Sequence, residues 1–573
     1  MPARTLTSRS IPLVAATTLS VSLYALHTHV RPVLLDAAPG PTESTFGLPK
    51  KPRSAIIPSS SSPYLPLGWG SNRYLTLSPD QSLSQLKKPT PLTQFGATPL
   101  RDLVLAEKYG AAVDARGDCW MWGTGYDPSG EVGRSIKGKN IKTLIPASAK
   151  LFCLSKSGNL YAVSTSRAVQ TSSQQYKAER SWWSSMFGTD AGVDFYELQA
   201  EGGLKRGERW ASVSAGKHHL LAVTTKGRTF SLPIDPLANS HRQLGTRQVL
   251  DASTAPLASI RSSPSSSSPT PTPSLPLNPA TDPRAYPTLT EIPSLASVPI
   301  ASVTASALSS FARTPTGRVL GWGANESGQI GLGPSGAIEV VSSPVEVVLA
   351  RNYPGGTTMN CTRVVAAGAL TMFVVERDVP GKEGTWVDLL ACGNGMSGGL
   401  GNGLWSSACT SPVKVKTVSG LQEYSEKKNA FVPLGIHDLS ISSGPAAHIF
   451  AVLDTADQAE EKGVKMGLYG KDVMVWGGNV DYQLGNGKRS SLAVPQHIPQ
   501  LISRSSGDIA AAAKEAGLSS GTLSPMPHSR LQLHQSKTDA YDLSGKLIKR
   551  GVKCEETMVA GYNSSVLYNK TLD

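Results

Sequence analysis

Between residues 300 and 347 the chain alternates short apolar runs with turn residues. Ile300, Val303 and Ala305 make the first run, and Phe311 and Ala312 the second, ended by the turn pair Gly317-Arg318. Val319-Leu320-Gly321-Trp322-Gly323 makes the third. Runs this short, apolar and bounded by turn formers predict β-strands rather than helices. Next comes Asn325-Glu326-Ser327-Gly328-Gln329-Ile330-Gly331-Leu332-Gly333, where Asn and Gly are expected to supply positive φ while Ile330 and Leu332 pack between sheets. Ser343-Pro344-Val345-Glu346-Val347 closes the unit with a polar and apolar alternation, again a strand.

The same order of blocks recurs downstream. One copy runs through Val364 to Gly368, Met372 to Val375, Leu389 to Gly393, Gly398 to Gly403 and Ser411 to Val415. Another has Leu439 to Gly444, His448 to Leu453, Val473-Met474-Val475-Trp476-Gly477, Tyr482 to Gly487 and Val494 to Ile498. Weaker copies lie upstream, around Cys119-Trp120-Met121-Trp122-Gly123, around Gly158-Asn159-Leu160-Tyr161, and from Trp210 through His218-His219 to Gln243-Leu244-Gly245. A fixed order of strand-sized blocks is the signature of a repeat architecture, in which one unit cannot bury its own apolar faces.

This pattern resembles the RCC1 repeat family (regulator of chromosome condensation type), whose units form four-stranded propeller blades. The resemblance implies an all-β, seven-bladed β-propeller. It also makes structural repeat positions of Trp69, Gly70, Trp122, Gly123, Trp322, Gly323, Gly393, Trp476 and Gly477 on third strands. Gly331, Gly401 and Gly485 hold the glycine-rich block, and Gly216, Gly444 and Gly561 end first strands, with His219 and His448 just after. Third strands at Trp69, Trp122, Tyr161, Phe230, Trp322, Cys392 and Trp476 number seven. The two chain ends carry complementary halves of a unit, Leu67 to Asn72 and Thr557 to Tyr568, and are expected to share one blade, which would remove free sheet edges.

Seven units of about fifty residues need roughly 350 positions, so the expected propeller, residues 64–569, must carry insertions, placed at 164–209, 236–299 and 500–550. Ser253 to Pro293 is rich in Ser, Pro and Thr and is expected to be disordered. Asp508 to Ala516 reads as a short alanine helix capped by Ser506 or Asp508. In the first insertion Trp182, Trp183, Phe187, Phe195 and Tyr196 sit among lysines and arginines, and packing against the propeller's side is preferred to an exposed contact surface.

Residues 1–10 carry Arg4 and Arg9 among hydroxyl residues, with no acid before Asp36, the composition of a mitochondrial targeting leader. Residues 11–30 are an uncharged candidate transmembrane segment, short against the 20 or so residues a span needs, and 31–63 is a linker. A cleaved secretory signal and a presequence alone are the competing readings. Scattered cysteines and the absence of acids favour the mitochondrial one. Lys50-Lys51-Pro52-Arg53 reads as a membrane flank before it reads as a nuclear signal.

The net charge is +13, from 55 Lys and Arg against 42 Asp and Glu, yet no dense basic run stands out, so nucleic acid is not the expected partner. The six cysteines form no C-x-x-C pair or zinc spacing, and no phosphate loop or nucleophile elbow is present. No residue is therefore assigned to catalysis, a cofactor or a metal, and the protein is read as a binding scaffold rather than an enzyme. The layout looks like the fungal mitochondrial RCC1-repeat proteins. That resemblance implies a single-pass inner-membrane factor assisting assembly of respiratory complex III, with respiratory-chain subunits or assembly factors as partners. A guanine-nucleotide exchange factor acting on a small GTPase, or a ribosome-associated RCC1-like protein, is the alternative.

Overall fold

The computed structural model describes residues 65–572 except 81, 173–192, 247–277, 335–337, 379–380, 382–383, 426–427, 457–459, 462–463, 466–469, 500 and 502–529. The leader, the candidate membrane segment 11–30 and the linker lie outside the described residues. So do Trp182, Trp183 and Phe187, the helix expected over Asp508–Ala516, and residues 253–277 of the expected disordered tract.

Seven antiparallel sheets follow one another along the chain. Blade 1 holds Asp102–Leu105, Gly110–Val113, Cys119–Trp122 and Gly133–Ile136; blade 2 holds Ile141–Pro146, Lys150–Ser155, Leu160–Ser164 and Phe195–Glu197. Blade 3 consists of Trp210–Ala215, His219–Thr224, Thr229–Pro233 and Thr288–Glu291, and blade 4 of Ser302–Ala305, Ser309–Arg313, Val319–Ala324 and Val340–Glu346. Blade 5 comprises Thr358–Ala367, Leu370–Asp378, Trp386–Gly393 and Cys409–Lys414; blade 6, Ile436–Ile441, His448–Leu453, Lys471–Gly477 and Leu492–His497. Blade 7 is made from both ends of the chain. Leu547–Ala560 and Ser564–Thr571 supply its first two strands and Leu67–Ser71 and Gln85–Pro91 the last two, with Trp69 opposite Ser565. The seven third strands are those expected from the sequence.

The first strands touch one another in a closed circle, from Asp102–Leu105 round to Leu547–Ala560 and back. Side chains tie neighbours together there: Ser214 Oγ accepts from Ala305 N, Thr304 Oγ1 donates to Val364 O, and Ser440 Oγ accepts from Ala560 N. Arg363 reaches Asp438 at 3.1 Å. Each sheet is sandwiched between two others, so the second strands are buried on both faces, as in His219–Thr224 and His448–Leu453. Continuous apolar runs result, whereas the outermost strands, such as Val340–Glu346, show mixed burial.

Three departures from the sequence reading concern the insertions. Phe195–Glu197 lies inside 164–209, yet it is the fourth strand of blade 2, and Tyr161 packs edge-on against Phe195 with centroids 5.7 Å apart. Thr288–Glu291 lies inside 236–299 and is the fourth strand of blade 3, with Tyr286, Leu289 and Ile292 buried, so the end of the stretch expected to be disordered is ordered. In 500–550, Gln535–Tyr541 pairs with the long first strand of blade 7, which begins at Leu547, as a polar hairpin leaning on Ala115 and Arg116 of blade 1. Strands of three or four residues are too short to show a period, which hid the first two. The side chain of Asn325 also acts differently from expectation: it is absent from the positive-φ residues, which include Gly328, Gly331 and Gly333, and instead accepts from Ile330 N and donates to Ile338 O.

Candidate functional site

Two of the seven seams between blades share one clamp. His219 Nε2 lies 2.8 Å from Ser310 Oγ, which donates to Gln243 O at 2.7 Å, and the same carbonyl accepts from Trp322 Nε1 at 2.9 Å. Between blades 6 and 7 the same partners recur as His448, Ser565, Gln483 O and Trp69, at 2.9, 2.8 and 2.8 Å. Because each serine's proton is committed to a carbonyl, the histidine must donate through Nε2, and in the neutral ring that burial favours Nδ1 carries no proton. Burial pushes both histidines down to about 3, in agreement. A serine oxygen within 3 Å of an imidazole is also the spacing of a nucleophilic pair. Here, however, all four side chains are fully buried, the histidine donates rather than accepts, and neither Nδ1 has a partner to orient it. The contacts hold blades together.

The other repeat positions lie at further seams, each with its own contacts. Trp122 Nε1 donates to Thr76 O and Trp476 Nε1 to Gly399 O, each across a seam, while Cys392 replaces tryptophan at the seam of blades 4 and 5 and donates to Gln329 O at 3.3 Å. The ladder between third and fourth strands skips Trp69, Trp322, Cys392 and Trp476, a bulge at each. The glycine that follows takes positive φ; at Gly323 it is +102° and an added Cβ would lie 2.5 Å from Leu308 O, so no side chain fits. Gly70, Gly123, Gly393 and Gly477 repeat that conformation. Gly401 and Gly485 lie flat on the next blade's indole, and Gly331 on Cys392. Gly216, Gly444 and Gly561 are pressed against the neighbouring blade's first turn.

Sequence reasoning passed over Ser310, Ser565 and the glutamines. The signal was available: Gln243, Gln329 and Gln483 each precede an aliphatic residue and a glycine, and each side chain folds back onto the backbone N of the residue two before it. In blade 2 Lys150 opens the second strand, where His219 and His448 open theirs. Its ammonium donates to Ile234 O and Pro279 O, both at 2.9 Å, and burial lowers it to about 8.

The loops joining strands 1 to 2 and 3 to 4 all open on one face. A pocket of about 200 Å³ sits on it where blades 6, 7 and 1 meet, lined by Arg73, Tyr74, Glu107, Asp481, Tyr562 and Asn563 among others. Asp481 is buried and held by Arg73 at 3.2 Å, Gln85 at 2.8 Å and Asn563 at 3.1 Å, so its charge is spent on the pocket wall. On the opposite face, His437 lies between Asp454 and Glu555, with Lys471 Nζ 2.8 Å from its Nε2 and also bonded to Glu555. The two carboxylates raise His437 to about 9; despite burial, bonds from His437 and Lys471 lower Glu555 to about 2. No group of three or more metal-ligating side chains occurs among the described residues.

Residues 316–374 match the model of the regulator of chromosome condensation (RCC1) repeat. This stretch runs from the third strand of blade 4 into the second strand of blade 5, so the sequence unit straddles two blades. "Protein FMP25, mitochondrial" of Saccharomyces cerevisiae (strain ATCC 204508 / S288c) is 29% identical over 192 residues, which is 33% of this chain and 27% of that protein. The chain therefore matches little more than a quarter of that relative's length. Among solved structures, Prp20p of Saccharomyces cerevisiae, studied with its binding to Gsp1p and histones, superposes with a TM-score of 0.50 at 13% identity over 90% of this chain and 94% of its own. Yeast RCC1 (Prp20) bound by Kap60 gives the same score and identity over 95% and 97%. At that identity the likeness is one of fold.

Proposed function

We propose, with an RCC1-repeat β-propeller as the premise, that the protein is a non-catalytic, protein-binding scaffold of mitochondria. In this reading it is held at the inner membrane through residues 11–30 and assists assembly of respiratory complex III. The observation that carries it is the similarity to a mitochondrial yeast protein, which agrees with an amino-terminal leader free of acids. The buried, neutral clamps support the non-catalytic part, because the histidine and serine pairs are consumed in blade packing. Among the described residues no helix is long and apolar enough to cross a membrane, so the anchor rests on residues 11–30 alone.

The test is a deletion strain complemented with full-length protein or with a variant lacking residues 11–30 behind a foreign presequence. Native gels should show complex III intermediates accumulating without the protein, and alkaline carbonate should leave the full-length chain in the membrane pellet. Normal complex III in the deletion strain sinks the assembly role; release of the full-length chain by carbonate sinks the anchor. A second reading, nucleotide exchange on a small GTPase, is favoured by the likeness to Prp20p, whose binding to Gsp1p is described. Fold alone does not transfer that activity. Nucleotide release from a candidate GTPase on adding the protein would establish it in place of the first.

A further inference from the structure

Soluble surfaces rarely leave several large apolar side chains exposed together. The loop between the third and fourth strands of blade 5 does so with Met396 at 62%, Leu404 at 64% and Trp405 at 54% exposure. The loop is built rather than loose. Gly395 N donates to Ser406 O at 2.7 Å, which brings its two limbs together beside Met396 and Trp405, and Gly403 N donates to Ala493 O at 2.9 Å in blade 6. Asn394 and Asn402 each accept, through Oδ1, the backbone N–H two residues on, from Met396 and Leu404.

From Gly393 to Val413 the sequence carries no charge, and cations stand at the base of the loop. A methyl group added at Gly403 would lie 3.1 Å from Lys416 Nζ. Lys488 and Arg489 are exposed on the adjoining loop of blade 6, where Arg489 Nε donates to Val480 O at 2.7 Å and the single acid, Asp481, is buried in the pocket wall. The loop thus presents exposed apolar side chains with cations on its blade 6 flank, while the blade 4 loop that bonds Cys409 N through Ser327 O carries Glu326 on the other.

We propose that this loop docks the propeller onto an anionic lipid surface, with Met396, Leu404 and Trp405 entering the boundary of the acyl chains and Lys416, Lys488 and Arg489 at headgroup level. Exposed aromatic and aliphatic side chains with cations beside them are the chemistry that an anionic bilayer interface takes up. The proposal is independent of the mitochondrial assignment and of residues 11–30.

The experiment uses the full chain with Cys409→Ser, which removes the half-buried thiol, and Leu404→Cys labelled with an environment-sensitive dye. Leu237→Cys, in the corresponding loop of blade 3, is the matched control. Phosphatidylcholine vesicles containing phosphatidylglycerol should shift the dye at 404 to the blue and expose it to quenching by nitroxide lipids, while pure phosphatidylcholine should not. The dye at 237 should stay unchanged. Reversing Lys416, Lys488 and Arg489 to glutamate should weaken the response at 404 by about tenfold or more, from three lost headgroup attractions. An unresponsive dye at 404, an equal response with neutral vesicles or at 237, or a response to polyglutamate but not to vesicles would each overturn the proposal, the last in favour of an acidic protein partner.

Discussion

Replacing Ser565 by alanine removes one oxygen from the clamp between blades 6 and 7, and the cost follows from what is left unpaired. Gln483 O keeps its bond from Trp69 Nε1 at 2.8 Å, so the acceptor remains satisfied. His448 does not: its Nε2–H loses its partner, its Nδ1 already has none, and the ring is fully buried. A buried donor stranded in this way costs about 1–3 kcal/mol, and Ser310→Ala should cost a similar amount through His219. Blade 5 supplies an internal control. Thr371 stands opposite Cys392 as Ser565 stands opposite Trp69, yet its hydroxyl is buried without a partner. Thr371→Val keeps the shape and removes that burden, so it should be neutral or stabilising. Denaturant midpoints read by far-ultraviolet circular dichroism, with slopes compared to confirm that the transition is the same, measure all three. A Ser565→Ala loss below about 0.5 kcal/mol, or a Thr371→Val loss equal to it, would refute the account, since surface-like changes already span that range.

Deleting Cys554 to Asp573 removes Val566, Leu567 and Tyr568, all fully buried, and strips Leu67–Ser71 of its ladder, so the truncated protein should elute as aggregate on size exclusion; a monomer with an unchanged melting temperature would show that the ring does not need this closure. Gly323→Ala meets Leu308 O and a positive φ together and should cost about 1–3 kcal/mol from backbone strain alone, read as a drop in melting temperature; an unchanged value would mean the bulge tolerates a side chain. His219 and His448, at about 3 when folded against about 6.5 unfolded, take up protons on unfolding, so each should remove up to about 1.4 kcal/mol of stability per pH unit as pH falls from 6.5 toward 3. His437 acts in the opposite sense: its folded value of about 9 gives stability that is full below 6.5 and lost as pH rises to 9, and His437→Gln should flatten that alkaline limb of a stability against pH curve.

The ring was legible in the sequence because its middle strands are buried on both faces and therefore read as unbroken apolar runs beside Trp-Gly. The count of seven needed only those third strands, including Tyr161, Phe230 and Cys392, which keep the position without the tryptophan. Fourth strands were harder to read. Phe195–Glu197 and Thr288–Glu291 are short, lie at the rim, and follow long excursions, so neither period nor spacing marks them. The clamp residues escaped for a different reason: Ser310 and Ser565 are small polar residues within apolar strands, and their meaning depends on a histidine 91 and 117 positions away. The exposed apolar side chains of the blade 5 loop do not stand out in the sequence, because exposure is not a property of composition.

A repeat that straddles two blades makes every seam a pairing between consecutive sequence units, and it obliges the chain ends to meet inside one blade. The seams differ in which residues make the joint. Where blade 2 has lysine in place of histidine, Lys150 spans to two carbonyls of the blade 3 loop, tying down Ile234 and Pro279. Where blade 5 has cysteine in place of tryptophan, Cys392 donates to Gln329 O over 3.3 Å and beside the unsatisfied Thr371, a weaker joint. Within the loops between third and fourth strands the seam claims the glutamine carbonyl, the buried aliphatic residue and the glycine that meets the next blade's ring, and leaves the other positions unconstrained. Those other positions are free to vary in chemistry, as the uncharged, apolar loop of blade 5 does on the face where these loops open. Recognition is thus expected on that face, and substitutions there should alter binding while leaving the melting temperature near that of the parent, the reverse of substitutions at Ser565 or Gly323.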